Sequence, residues 1–206
     1  MLNILILSAL SKELNPIRQY LESRYISRKK VNLNFNKISI GFKNDQVYVE
    51  NLIREKSIWM VINAGTAGAL DNSITINDIV FPRIFVKAGG KGLSGSDLLG
   101  EYAPIMDDLP NDWSRRILYT SGTAVTSAEG KRTIIAETGA QLVDMEAYWV
   151  AVFCQELALP FCALKVISDN AELSSIFKFH RNLSRVADKL AIELKTLVDL
   201  IETVTN

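Results

Sequence analysis

The feature that most constrains the fold is the recurrence of short, β-branched apolar runs separated by segments with helical spacing. "NILILSA" (3–9), "IWMVINAG" (58–65), "DIVFPRIFVKA" (78–88) and "FCALKVISD" (161–169) carry few polar residues, and "RRILYTSGTAV" (115–125) has an apolar centre. A strand with one solvated face alternates apolar and polar residues; a strand covered on both faces reads as a continuous apolar run. Between these runs, "SKELNPIRQYLESR", "QVYVENLIREK", "SAEGKRTIIAETG" and residues from about 183 to 203 space their apolar residues as helices do. In the last of these, Leu183, Val186, Leu190, Leu194, Leu197 and Ile201 form the seam. The alternation predicts an α/β fold, a single domain over 1–206. "VNLNFNKISIGF" (31–42) alternates strictly and predicts a hairpin or two short strands. Pro82 marks a bulge or an edge in a long 78–88 strand, and 87–112 reads as a long loop.

Twenty-three basic against 23 acidic residues argue against nucleic acid or an anionic membrane as the main partner. The apolar amino-terminal run is too short to span a bilayer and lacks a basic flank, so a buried strand is expected there. Cys154 and Cys162 sit in apolar sequence without metal-ligand spacing, which suits a reducing, cytoplasmic setting. His180 is the sole histidine, which disfavours a zinc site or a Ser-His-Asp triad.

Three acids fall where strands end or helices begin. Glu13 follows the first strand, Glu146 opens a helix expected over 145–157, and Asp169 ends the strand in "ISDNAE". In an open α/β sheet the carboxyl ends of strands face one crevice, where ligands bind. Glu13 and Asp169 each have a second reading, as a first-turn acid and as an N-cap. Glu146 is harder to explain that way, because Asp144 already supplies a cap and the following residues are apolar to Cys154. A buried carboxylate needs hydrogen-bond donors, and a pair of substrate hydroxyls would serve. "NAGTAGAL" (63–70) lacks GxGxxG spacing and a P-loop lysine; it reads as a tight turn needing positive φ at Gly65 or Gly68, or as a flat surface against a ligand.

"ILSALSKEL", "INAGTAGALDNSITINDIV", "TSGTAVTS" and "VDMEAYWVAVFCQELALPFCALKVISDNAE", in that order, resemble the nucleoside phosphorylase superfamily, and within it the 5′-methylthioadenosine/S-adenosylhomocysteine nucleosidases. The resemblance implies a water-activating role for Glu13 and a general-acid role for Asp169. It puts Thr66, Ala67 and Gly68 beside the sugar and Val125 and Thr126 at the base. Met145 would pack on the ribose, Glu146 would hold its hydroxyls, and Phe179 would lie near the substrate. It also implies a single α/β domain with a central mixed β-sheet flanked by helices on both faces, a small-molecule nucleoside substrate, no metal or organic cofactor, and a homodimer. Residues 83–112 are shorter and richer in glycine than the family segment, Val125 stands where an aromatic is common, and "GFKNDQVYVENLI" lacks a small-residue helix start. These departures leave open a related nucleosidase for futalosine or an adenosyl-hopanoid. They leave open as well a phosphorylase, with Arg83 or Lys87 on phosphate, and a non-catalytic nucleoside-binding protein.

Overall fold

The computed structural model describes residues 1–25, 30–171 and 175–204, without the side chains of residue 25 and of residues 175–184. Its elements are β1 (Leu2–Ser8), α1 (Ser11–Tyr25), β2 (Val31–Lys37), α2 (Gln46–Glu55), β3 (Met60–Ala69), β4 (Ile79–Val80), β5 (Ile84–Val86), β6 (Leu93–Ser94), α3 (Gly95–Leu99), β7 (Ile117–Thr120), α4 (Ala128–Thr138), β8 (Leu142–Asp144), α5 (Ala147–Glu156), β9 (Phe161–Asp169) and α6 (Ser175–Val204), with a 3-10 segment at Gly100–Met106.

The apolar runs are strands covered on both faces, as their composition requires. Ile4, Ile6, Met60, Ile62 and Leu164 point into a core with Leu14, Ile17 and Leu21 of α1 and Leu190, Leu194 and Leu197 of α6. Their alternates Leu5, Leu7, Val61 and Ala163 pack against Val49 and Ile53 of α2 and Val150, Phe153 and Cys154 of α5. One mixed sheet thus separates two helical layers. No helix among the described residues is long and apolar enough to cross a membrane.

β3 organises the sheet. Its first half pairs parallel with β1, most of its length pairs parallel with β9, and its end pairs antiparallel with β8. β9 continues to β4, the chain crosses Pro82 into β5, and β5–β7–β8 returns to β3, so the path closes on itself through the covalent chain at Pro82 and the Val80–Ser114 bridge. The bulge between β3 and β9 matters for the site. Ala67 pairs with Ile167 but Gly68 pairs with Asp169, leaving Ser168 unmatched. Such a bulge re-aims the side chains that follow it.

Several expectations are corrected. Residues 31–42 form no hairpin: β2 is one edge strand parallel to β1, and Gly41 (φ 82) and Phe42 (φ 61) turn the chain away after it. "GTAGA" is no turn but the second half of β3; Gly65 and Gly68 are absent from the positive-φ positions. The 78–88 segment is two short strands with different partners, because Pro82 has no N–H to continue a ladder. Residues 87–112 hold β6, α3 and the 3-10 segment. Strand 115–125 narrows to Ile117–Thr120, and the last helix begins at Ser175, well before 183. Helix 145–157 narrows to Ala147–Glu156, which leaves Glu146 at the N-cap position.

Candidate active site

Where β1, β3, β8 and β9 end, a cavity of about 290 Å³ opens. Glu13, Thr66, Ala67, Gly68, Val125, Thr126, Met145, Glu146 and Asp169 all line it. Phe179 is on α6, and its side chain lies outside the described residues.

Glu13 reaches the cavity from the first turn of α1 and is 2% exposed. Its Oε2 accepts from Ser8 Oγ at 2.8 Å, and its Oε1 accepts from Thr66 N at 3.0 Å and Thr66 Oγ1 at 2.7 Å. Three donors from two strands hold this carboxylate in one orientation. Gly65 is a neighbour of this carboxylate: a Cβ on it would lie 3.5 Å from Glu13 Oε2, an ordinary van der Waals contact.

Asp169 sits at the end of β9, just past the bulge. Its Oδ2 accepts from Ser168 Oγ and its Oδ1 from Ala171 N, both at 2.7 Å. A Cβ on Gly68 would fall 3.2 Å from Asp169 Oδ1 and 3.0 Å from Ala171 Cβ. A side chain there would push the Ala171 methyl or the Asp169 carboxyl back by a few tenths of an ångström.

Glu146 is 8% exposed and its Oε1 accepts from Gly41 N at 3.4 Å. Burial pushes its pKa up to about 7, helped by the Asp144 charge and opposed by Lys165. The N-terminus of α5 favours negative charge, but Asp144 already uses it. Asp144 Oδ2 accepts from Ala147 N at 3.0 Å, and its Oδ1 from Thr120 Oγ1 at 2.6 Å.

What stands behind Glu146 was not foreseen from the residues. Lys165, 1% exposed in the middle of β9, donates to Asp144 Oδ2 at 2.8 Å and to Asn63 Oδ1 at 2.7 Å. Asn63 in turn donates to Leu7 O at 3.3 Å. The sequence does hold one signal: a lysine inside "FCALKVISD", a strand buried on both faces, demands an anionic partner. The end of the 31–42 segment, expected to be a hairpin or two short strands, supplies Gly41 N to Glu146 and Ile40 to the cavity wall.

Arg83 and Lys87 are not among the residues lining the cavity. Lys87 Nζ donates to Ala88 O at 3.3 Å and lies near the Tyr148 and Trp149 rings. The one cation that lines the cavity among the described residues is Lys165, engaged by Asp144 and Asn63. The site therefore combines fixed carboxylates, small-residue backbone on β3 and an apolar strip at Ala124 and Val125. That set can accept from sugar hydroxyls, face a flat ring and move protons.

Residues 113–199 match the family model of the Phosphorylase superfamily. The chain is 27% identical over 177 residues to the aminodeoxyfutalosine nucleosidase of Helicobacter pylori (strain ATCC 700392 / 26695), covering 78% of this chain and 77% of that one. It is 23% identical over 180 residues to the 5′-methylthioadenosine/S-adenosylhomocysteine nucleosidase of Staphylococcus haemolyticus, covering 79% of each. A mutant of the Helicobacter pylori methylthioadenosine/S-adenosylhomocysteine nucleosidase, solved with 5′-methylthioadenosine in the active site, superposes with a TM-score of 0.83 at 22% identity over 97% of this chain and 99% of that one. By sequence over residues 113–199, and by fold over nearly its whole length, the chain resembles the phosphorylase superfamily.

Proposed function

We propose that the chain is a nucleosidase that hydrolyses the N-glycosidic bond of a purine ribonucleoside. The observation that carries this reading is the convergence of Glu13, Glu146 and Asp169 on one cavity beside the bare backbone of β3. Cleavage of such a bond passes through an oxocarbenium-like state, as in glycoside hydrolysis. Asp169 gives a proton to a ring nitrogen of the base as the bond from C1′ breaks and its electron pair leaves with the base. Water bonds to C1′ from the opposite face, and its proton goes to Glu13. Glu146 accepts from the ribose hydroxyls and places negative charge near the developing cation. Each positioned acid or base contributes about 10²–10⁴-fold. Thr66, Ala67, Gly68 and Met145 bound the sugar, and Val125 and Thr126 the base.

The relatives support an adenine-bearing substrate such as 5′-methylthioadenosine or S-adenosylhomocysteine, with a futalosine-type nucleoside as the second reading. Apolar Ile40, Ala9 and Leu10 on the cavity wall favour the uncharged methylthio substituent of 5′-methylthioadenosine over the charged substituent of S-adenosylhomocysteine. Phosphorolysis is disfavoured because Arg83 and Lys87 do not line the cavity. We also expect a homodimer; exposed Ile40 at the cavity wall and Val47 and Tyr48 on α2 are apolar surface that a second copy would cover.

Incubation with methylthioadenosine, S-adenosylhomocysteine, adenosine, inosine and futalosine, with and without phosphate, tests the reading by chromatography of the free base. Release without phosphate supports hydrolysis. Release only with phosphate, accompanied by a sugar 1-phosphate, overturns it in favour of a phosphorylase. Ligand-induced thermal stabilisation without any turnover would instead indicate a binding protein.

A further inference from the structure

The turn that carries Asp169 is strained and externally held. Ala171 has φ 49, a left-handed conformation that costs an L-residue with a side chain about 1–2 kcal/mol. Such a residue persists where its surroundings over-determine it. Three contacts do so here. Ala171 N donates to Asp169 Oδ1 at 2.7 Å. Ala171, 5% exposed, packs into a small cluster with Leu70, Ile134 and Val143. From outside the cavity wall, Lys131 Nζ on α4 donates to Asn170 O at 2.7 Å, a charge-assisted bond to the peptide between the two residues that matter.

We propose that Lys131 is a positioning residue: its ammonium, by holding the Asn170 carbonyl, fixes the turn that aims the Asp169 carboxyl at the substrate. This rests on the role given to Asp169 in the proposed reaction. Lys131 is absent from the residues lining the cavity and lines a separate surface hollow with Leu70, Asp71 and Arg132. It therefore acts on the turn and not on the ligand.

Lys131→Met keeps an unbranched apolar stem and removes the donor, and Lys131→Arg restores a cation of similar reach. Arg132→Met, an exposed neighbour, is the control. The first readout is residue-resolved amide exchange, which needs no activity. The Ala171 N–H should exchange about tenfold faster in Lys131→Met, the size of effect expected for loss of about 1.4 kcal/mol. The Ala147 N–H, bonded to Asp144, should be unchanged. The second is steady-state kinetics on whichever nucleoside the wild type cleaves. There kcat should fall about 10–100-fold with KM within about twofold, because displacement of a reacting group by about 1 Å costs on that order. Lys131→Arg should recover most of both.

Unchanged Ala171 exchange in Lys131→Met overturns the inference, as does an equal rise at Ala147, which would signal general loosening. Faster Ala171 exchange with kcat unchanged overturns the functional half. If the wild type cleaves no nucleoside, the proposed reaction fails, while the exchange data still decide whether Lys131 holds the turn.

Discussion

Lys165→Met isolates the buried charge pair behind Glu146. Methionine keeps an unbranched chain and removes the ammonium that bridges Asp144 Oδ2 and Asn63 Oδ1. Asp144, whose side chain is 1% exposed, is then a carboxylate with no counter-charge. Removing one partner of a buried pair costs about 3–5 kcal/mol. Asp144 keeps its bonds from Thr120 Oγ1 and Ala147 N, which retain part of its stabilisation, so the low end is expected, about 3 kcal/mol. For a chain of 206 residues that lowers the melting temperature by roughly 6–12 °C. Urea unfolding at pH 7 measures it, and a double-mutant cycle with Asp144→Asn sharpens it. Asparagine removes the stranded charge, so the double variant should be more stable than the sum of the single losses implies, by about 1.5 kcal/mol or more. A loss under about 1 kcal/mol for Lys165→Met, or strict additivity in the cycle, would refute the reasoning.

The Glu146 carboxyl, raised by burial to about 7 from 4.5, binds its proton more tightly folded than unfolded. Its contribution to stability is therefore full below pH 4.5 and lost as pH rises through 7, by at most about 3 kcal/mol. Urea titrations across that range should show the decline in wild type and lack it in Glu146→Gln; parallel curves would remove Glu146 as its source. Glu146→Gln should also harm ribonucleosides far more than 2′-deoxy substrates, whereas equal losses in kcat/KM would end its hydroxyl-binding role. Gly68→Ala adds a Cβ 3.2 Å from Asp169 Oδ1, so kcat should drop about tenfold or more from a small displacement of the acid. Wild-type kcat in that variant would show that the turn yields freely.

Much of this was legible in the residues because strands buried on both faces and helices with one apolar face leave distinct patterns. β1, β9 and α4 fall within a residue or two of their expected bounds for that reason. Less legible were features set by tertiary pairing. The alternation of 31–42 is real, but β1 offers one free edge and the chain turns off at Gly41, so only half of it pairs. "GTAGA" reads as a turn from its glycines, yet β3 is flanked there by β9 and β8, and Gly68 makes room for the turn that carries Asp169. The acids themselves were readable, since carboxylates at strand ends in apolar surroundings need partners. Asp144 was readable as a cap, but its pairing with Lys165 joins β8 to β9 across 21 residues of sequence, a contact that no local spacing encodes.

The most direct test is the initial rate of base release from methylthioadenosine in phosphate-free buffer, compared between wild type and Asp169→Asn. The account predicts release by the wild type and a loss of at least about 100-fold in the variant, with substrate still shifting the variant's melting temperature. Equal rates in the two proteins would contradict the role of Asp169, and release by the wild type only when phosphate is added would contradict hydrolysis itself.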